Sequence, residues 1–304
     1  MTDGRWELLR ALGAIADSPA AARAVAPSLG LDVPAAAEHT EVFVLNTPPY
    51  ASVYVGPEGA LGGEGTDRAA GFWRALALTP PAEPDHLTAL LSLYAHLGQA
   101  AAGTRRPATA AALTRSRAAL LSEHLWPWLP AYLDAVTDVA GPALTAWAAL
   151  ARRALTAEYR DIPAQAGLAL ALRTAPPPLT AEGRISDLTG ALTTPARSGI
   201  ILTRRQLAAG AGQAGVGHRI GERRFTLHAM LDQDPVPTLA WLASEARRWQ
   251  RRHRSREPGD ASGRWWRARA AHTGQVLHDA ATAGTRRAAT EERLAGQVAG
   301  TEPA

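Results

Sequence analysis

The chain has 304 residues, of which 46% are hydrophobic and 20% charged, a composition typical of a globular protein with a sizeable core. It contains no cysteine, which excludes disulfides, thiolate metal sites, iron–sulfur ligation and cysteine nucleophiles. Arginine supplies all 32 basic residues, and the balance of 14 arginines against 18 acids in 1–196 and 18 against 10 in 197–304 predicts two functional regions.

The front of the chain predicts successive helices. An amphipathic run begins at Trp6 and continues to about Leu29, where Gly30 is expected to cap it. Residues 41–45 alternate like a strand, but they stand alone among helical patterns and are interpreted as a helix end. Residues 46–65 are rich in proline and glycine, which predicts a loop.

Glu83 and Pro84 predict the start of a longer helix, because an acid suits the unpaired N–H groups of a first turn and proline has no N–H. Apolar residues then recur at three- and four-residue steps and predict one buried face: Leu87, Leu90, Leu91, Tyr94 and Leu97. Further helices are predicted at 67–78, 108–126, 132–139 and 143–159, with Pro127 and Pro130 as a break. No alternating pattern with hairpin turns is present, so we expect an all-α fold.

Proline punctuates residues 161–196 and predicts a linker between a helical core at 1–160 and a basic helical extension at 197–304. Helices are predicted within the extension at 204–212, 222–231, 235–252 and 262–282, the third of them capped by Asp234. The last twenty residues contain few large apolar groups and are expected to fray.

Three short motifs of the front part carry the functional signal. The first contains Pro48, Pro49, Tyr50, Ser52, Val53 and Tyr54, the second Glu83, Pro84, Asp85 and His86, and the third His124, Leu125, Pro127 and Trp128. In this order and at these distances they resemble the signature of the TorD family, the cytoplasmic maturation chaperones of bacterial molybdenum enzymes. The resemblance covers roughly residues 1–160.

The resemblance implies a chaperone without catalytic residues, metal or cofactor. Its client would be the apo form of a molybdopterin oxidoreductase catalytic subunit, bound through its twin-arginine signal peptide and held until the molybdenum cofactor is inserted. An acidic helical surface beside aromatic rings suits two guanidinium groups followed by an apolar stretch. Where the family often has acids, this chain has Ala51, Leu90 and Ser92. The charge is therefore expected from other acidic residues: Glu58, Glu64, Asp67, Glu83 or Asp85.

Each motif also has a purely structural explanation. Asp85 suits a helix cap, His86 suits a buried histidine with satisfied ring nitrogens, and Trp126 and Trp128 suit a core. The joint occurrence of the three motifs favours the functional interpretation over these separate ones.

Other functions stay open at this stage. A close alternative is an assembly chaperone like the nitrate reductase delta subunit, whose client is not exported. A different alternative is a nucleic-acid-binding regulator acting through 197–304, where the basic stretch 203–225 has a partial helix–turn–helix pattern; nucleic acid is the less favoured partner. The long linker permits a domain-swapped homodimer. With no apolar run of membrane-spanning length and no secretory signal pattern, we expect a cytoplasmic protein without membrane insertion.

Overall fold

The computed structural model describes residues 3–162, 167–180, 184–254 and 260–299. Within these residues the chain forms helices joined by turns, and extended backbone pairs only at an isolated antiparallel bridge. The predicted all-α fold is confirmed.

Among the described residues before position 176 there are ten α-helices: α1 Asp3–Asp17, α2 Pro19–Val25, α3 Ala36–His39, α4 Ala51–Val55, α5 Gly63–Ala75, α6 Leu87–Gly103, α7 Pro107–Ala119, α8 Leu129–Val139, α9 Pro142–Asp161 and α10 Leu170–Arg173. Six more follow among the described residues: α11 Ile185–Thr193, α12 Pro195–Ser198, α13 Arg204–Ala214, α14 Arg223–Gln233, α15 Pro235–Arg254 and α16 Ala261–Ala299. A 3-10 turn at Ala26–Leu29 and π-helical turns at Thr40–Asn46 and Leu120–Leu125 extend neighbouring helices.

The chain divides into two compact units. The first, called the front unit, holds Met1–Pro176, Thr194–Ala196 and Glu257–Trp265; the second, called the rear unit, holds Pro177–Thr193, Arg197–Arg256 and Trp266–Ala304. Residues 161–196, predicted as a linker, contain α10, α11 and the start of α12, and Leu172, Leu179 and Leu192 are buried. The division at 160 and 196 stays a prediction.

Helices α1 and α6 form the centre of the front unit. Leu9, Leu12 and Ile15 of α1 and the predicted stripe of α6 are buried, as helical periodicity requires. The two helices approach closely because Gly98 leaves room for the Trp6 ring: a Cβ at this position would lie 2.3 Å from it. Any larger residue at 98 would push α1 away from α6.

A buried carboxylate joins four helices of the front unit. Glu158 of α9 accepts hydrogen bonds from the Arg5 guanidinium and, at 2.7 Å, from the Tyr94 hydroxyl. The Arg117 guanidinium lies 3.6 Å away and also lies over the rings of Trp6 and Tyr94. Since Glu158 is only 3% exposed, these cations and the hydroxyl compensate for its lost hydration.

Several predicted boundaries change. Gly30 adopts the left-handed conformation (φ 67°) that ends the first run, as expected. The run itself is interrupted at Ser18, whose hydroxyl accepts the Ala21 N–H at 3.2 Å and starts α2. Pro130 lies in the first turn of α8 rather than breaking a helix, and α16 continues to Ala299, beyond the predicted end at 282.

The loop before α5 packs closely on a distant segment of the same unit. Gly59 has φ 63°, and a Cβ there would lie 2.8 Å from the Cα of Thr194. Only glycine meets both the backbone requirement and the close approach. Thr194 is itself buried, so this contact is part of the interior of the front unit.

The rear unit has its own core. Helix α14 packs against α11 and α15, and α13 packs against α15. Thr203 and Gln206 form a reciprocal capping box at the start of α13. Trp249 and Trp266 are fully buried on either side of the His253 ring, with centroid separations of 5.5 and 5.8 Å.

Candidate functional site

The first two motifs are joined by backbone hydrogen bonds. The Ala51 N–H donates to the Asp85 carbonyl at 3.1 Å, and the Leu87 N–H donates to the Pro49 carbonyl at 2.8 Å. These bonds form an antiparallel bridge between Tyr50 and His86. Two motifs more than thirty positions apart in the sequence thus form one seam, which we call the motif seam: residues 49–51 and 85–87.

Asp85 organises the interior of the seam. Its carboxylate accepts the Ser52 N–H and the Thr66 hydroxyl, both at 3.0 Å, and it is only 2% exposed. Ser52 is in the first turn of α4, where N–H groups have no partner within the helix. Asp85 therefore caps a helix from a distant part of the chain. The predicted helix start at Glu83 and Pro84 is wrong, because α6 begins at Leu87. The expectation that Asp85 caps a helix is confirmed, although the helix is α4.

His86 is the N-cap of α6. Its Nδ1 accepts the Thr88 N–H at 3.2 Å, a role usually taken by serine, threonine or aspartate. Burial lowers the pKa of His86, so the ring is neutral near pH 7 and carries its proton on Nε2. The helix starts at Leu87 because the seam holds the preceding residues in an extended conformation.

The outer edge of the seam is aromatic and acidic. The Tyr50 ring meets the His86 ring edge-on at 4.7 Å, and its hydroxyl donates to Glu83 Oε1 at 2.9 Å. Burial and the carboxylate of Glu83 raise the pKa of Tyr50 to about 12. Asp17, the exposed last residue of α1, acts electrostatically on both rings and opposes the lowering of the His86 pKa.

We call Asp17, Tyr50, Glu83 and His86 the acidic rim. Glu83 and Asp17 are exposed, Tyr50 is half-buried, and His86 is mostly covered. Asp17 was not among the predicted site residues, because its place at the end of α1 shows no relation to the motifs. The signal that could have identified it is its position just before the Ser18 break, which fixes where α1 ends.

The third motif lies against the first through stacked rings. Tyr54 and Trp128 are parallel to within 4° at a centroid separation of 5.4 Å, and Tyr132 meets both edge-on. The Tyr54 hydroxyl donates to the Pro48 carbonyl at 2.9 Å, and the Trp128 indole N–H donates to the His124 carbonyl at 2.8 Å. The structure thus brings all three motifs together.

Most of the predicted site residues lie below the surface. Trp128, Ser52, Tyr54 and Val53 are at most 4% exposed, and Pro49 and Pro84 are also buried. In this conformation these residues support the seam and offer no free face to a peptide. Their predicted role in client binding stays a prediction. Within the set, Glu83 is exposed, and Tyr50 and His124 are half-buried.

His124 makes its ring contact with α5, whereas the Tyr50 and His86 rings of the acidic rim contact each other. Its ring lies 4.8 Å from that of Phe72 in α5. Burial, together with the positive charge of Arg68, lowers the pKa of His124 to about 4. The side chain is therefore neutral at physiological pH.

The other candidate acids differ in their exposure and in their contacts within the chain. Glu64 forms an ion pair with Arg68 within α5, and Glu58 accepts the Glu64 N–H at 3.5 Å. Asp67 is exposed on α5. Since Asp85 is buried and used inside the seam, Glu83 and Asp17 are the exposed carboxylates that act electrostatically on the paired rings of Tyr50 and His86.

Among the residues that the structure describes, no group of three histidine, aspartate or glutamate side chains is placed to hold a metal ion. Within the same residues, no helix combines the length and apolarity needed to cross a bilayer.

The fold and the seam define a class: an all-α protein in which three motifs distant in the sequence are brought together by one seam and its stacked rings. Residues 22–134 match the protein family described as nitrate reductase delta subunit. Over this segment the chain is similar to the TorD- and NarJ-type chaperones of molybdoenzyme assembly. The matched segment contains all three motifs and none of the rear unit. No curated protein matches the chain.

Proposed function

We propose that this chaperone binds the apo catalytic subunit of a molybdopterin oxidoreductase in the cytoplasm and holds it until the molybdenum cofactor is inserted. In this proposal the acidic rim receives the twin-arginine segment of the client's signal peptide. The observation that carries it is the motif seam, which places Tyr50 and Glu83 in contact with each other at the surface, with Asp17 acting on the same rings.

The chemistry of the rim suits guanidinium groups. Charge-assisted hydrogen bonds from arginine to carboxylate are among the stronger polar contacts in proteins, and two exposed carboxylates match two adjacent arginines. The face of an aromatic ring such as Tyr50 offers a further cation–π contact. Lysine would lose the planar, bidentate geometry, so a rim of this kind favours arginine over lysine.

The match to the nitrate reductase delta subunit family favours a second candidate of the same class. In this alternative the client stays in the cytoplasm, and the chaperone recognises a segment of the mature enzyme. The acidic rim then binds a basic segment that is not a leader. Homodimerisation is compatible with either function.

The deciding experiment begins with affinity purification of the tagged chain from its native host and mass spectrometry of what is retained. Recovery of a molybdoenzyme catalytic subunit that is lost on deleting its leader supports signal-peptide recognition. Recovery that persists without the leader supports the second candidate. Recovery of nucleic acid or unrelated regulators alone rejects both and favours a regulatory role for 197–304.

The rim is then tested by calorimetry with the leader peptide of the recovered client. We expect Glu83→Gln and Asp17→Asn each to weaken binding about tenfold, the effect of one charge-assisted contact. Asp32→Asn is the matched control, because Asp32 is an exposed acid outside the rim. A peptide with both arginines replaced by lysine should bind the unaltered chain more weakly than the original peptide does. The two peptides should bind equally to the double variant that combines Glu83→Gln with Asp17→Asn.

A further inference from the structure

An isoleucine of the rear unit is presented almost completely to solvent. Ile220 is 89% exposed in the loop between α13 and α14, residues 216–222. Hydrogen bonds fix the loop at two positions. The Gln233 side chain accepts the Gly217 N–H at 2.8 Å and donates to the Gly217 carbonyl at 3.0 Å. The Thr226 hydroxyl donates to the Arg219 carbonyl at 2.9 Å. These hydrogen bonds hold the loop backbone in the conformation that exposes Ile220.

Two more apolar side chains are exposed on the elements beside this loop. Phe225, in the first turn of α14, is 51% exposed, and Ile185, the first residue of α11, is 40% exposed. The Arg224 guanidinium donates to the Ser186 carbonyl at 3.1 Å, so the starts of α11 and α14 lie side by side. Exposed apolar side chains on neighbouring elements, unlike those scattered singly over a surface, are a feature of interaction sites.

The charges around these residues are mainly positive. Arg184, Arg219 and Arg224 are exposed, and Arg223 is half-buried with its guanidinium bonded to the Leu202 carbonyl at 3.1 Å. The acids of the same segments are Glu222 and Asp187, and Asp187 accepts the Arg184 N–H at 3.1 Å. Four arginines against two acids leave this surface positive.

We propose that this surface, formed by Ile220, Phe225, Ile185 and the arginines beside them, binds the surface of an anionic lipid bilayer. Ile220 projects from a loop, so its side chain can enter the interfacial region of a bilayer and leave water there. Arginines beside the apolar residues bind lipid phosphates through charge-assisted hydrogen bonds. The binding is peripheral, because a loop that enters the interface needs no spanning helix.

Peripheral binding is compatible with the expectation of no membrane insertion, which concerns spanning segments. It is independent of the client-binding function, because every residue it uses lies in the rear unit. If it holds, the chaperone is placed at the membrane surface by one unit while its front unit keeps the acidic rim.

The test is flotation of the full chain with vesicles of phosphatidylcholine, with or without phosphatidylglycerol. We expect the chain to float with the anionic vesicles and to remain behind with the neutral ones. Ile220→Ser should lower the partition coefficient about tenfold, and Phe225→Ser by a similar factor, since each removes a large apolar side chain from the interface. Arg219→Gln with Arg224→Gln should lower it about tenfold more and reduce its dependence on salt.

Leu61→Ser is the matched control. Leu61 is also an exposed apolar residue (61% exposed), but it belongs to the front unit, so its replacement should not affect flotation. Circular dichroism of each variant establishes that the helices are intact. The proposal is overturned if the unaltered chain floats with neither vesicle, or if it floats equally with both. It is also overturned if Ile220→Ser floats like the unaltered chain, or if the loop variants lose an acidic protein partner while vesicle binding is unchanged.

Discussion

The interior and the outer edge of the motif seam use residues of the same three motifs for opposite purposes. Inside, Asp85, Tyr54 and Trp128 are covered and satisfied by contacts with their own chain. Outside, Tyr50 and Glu83 bond each other at the surface beside Asp17. The difference teaches that a sequence signature contains two kinds of residue: buried ones that support a surface and exposed ones that form it. The structure separates the two kinds, whereas the motif alone does not.

The largest expected effect is a loss of stability from the interior. Trp128→Ala removes a fully buried ring that stacks on Tyr54, and it should lower the free energy of unfolding by about 3–5 kcal/mol. Urea denaturation followed by circular dichroism measures this change. Trp128→Phe keeps a ring in place and should cost less than half as much. Equal stability of all three proteins would contradict the assignment of Trp128 to the interior.

The next effect depends on pH. Burial lowers the pKa of His124 to about 4, below the ordinary value of 6.5, so the unfolded chain binds the proton more readily. The stability is fully present above pH 6.5 and is lost as the pH falls toward 4, by up to about 3 kcal/mol from this residue. The lowered pKa values of His39 and His86 act in the same direction.

Denaturation between pH 7 and 4 isolates the part due to His124. The decrease should be smaller in His124→Gln, while His96→Gln, an exposed histidine of α6, should follow the unaltered protein. A parallel decrease in all three would show that other groups cause the acid sensitivity.

A smaller loss of stability is expected at Asp85. Asp85→Ala leaves the Ser52 N–H and the Thr66 hydroxyl without their acceptor and should cost about 1–3 kcal/mol. Asp85→Asn retains one oxygen and should cost less. Thermal unfolding compares the two variants. A client-binding defect in Asp85→Ala without any loss of stability would move Asp85 from the interior to the binding surface.

The smallest effect on stability, and the largest on binding, is expected at the rim. Glu83→Gln and Asp17→Asn are exposed changes and should alter the free energy of unfolding by no more than about 0.5 kcal/mol. Both should nonetheless weaken peptide binding, as measured by the calorimetry above. A rim variant that destabilises the chain by as much as Asp85→Ala would remove the distinction between edge and interior.

The sequence predicted the helical class and most helices because apolar periodicity is a local signal. The stripe of α6 is an example: its spacing alone identifies the face that packs against α1. The start of the same helix was misplaced, because the bridge between Tyr50 and His86 is a nonlocal contact that holds Glu83 to Asp85 outside the helix. Local rules for acids and prolines at helix starts gave the wrong residue there.

The candidate site was only partly predictable for the same reason. The motifs identified Tyr50, Glu83 and His86, but the sequence did not show that Asp85 caps α4 or that Asp17 acts on the same rings. Nor did composition show that Ile220 is exposed, since an isoleucine beside arginines also suits a helix that packs on a core. Exposure is a property of the tertiary arrangement, and no spacing rule reports it.

The contact of Gly59 with Thr194 has a practical consequence for shortening the chain. A protein ending at residue 160 keeps all three motifs but lacks Thr194, so the glycine loop before α5 loses the surface on which it packs. Such a fragment should express poorly or require protection against proteolysis at residues 57–62. A fragment for peptide binding should therefore supply the 194–196 segment as well, although it lies sixty positions beyond the family match.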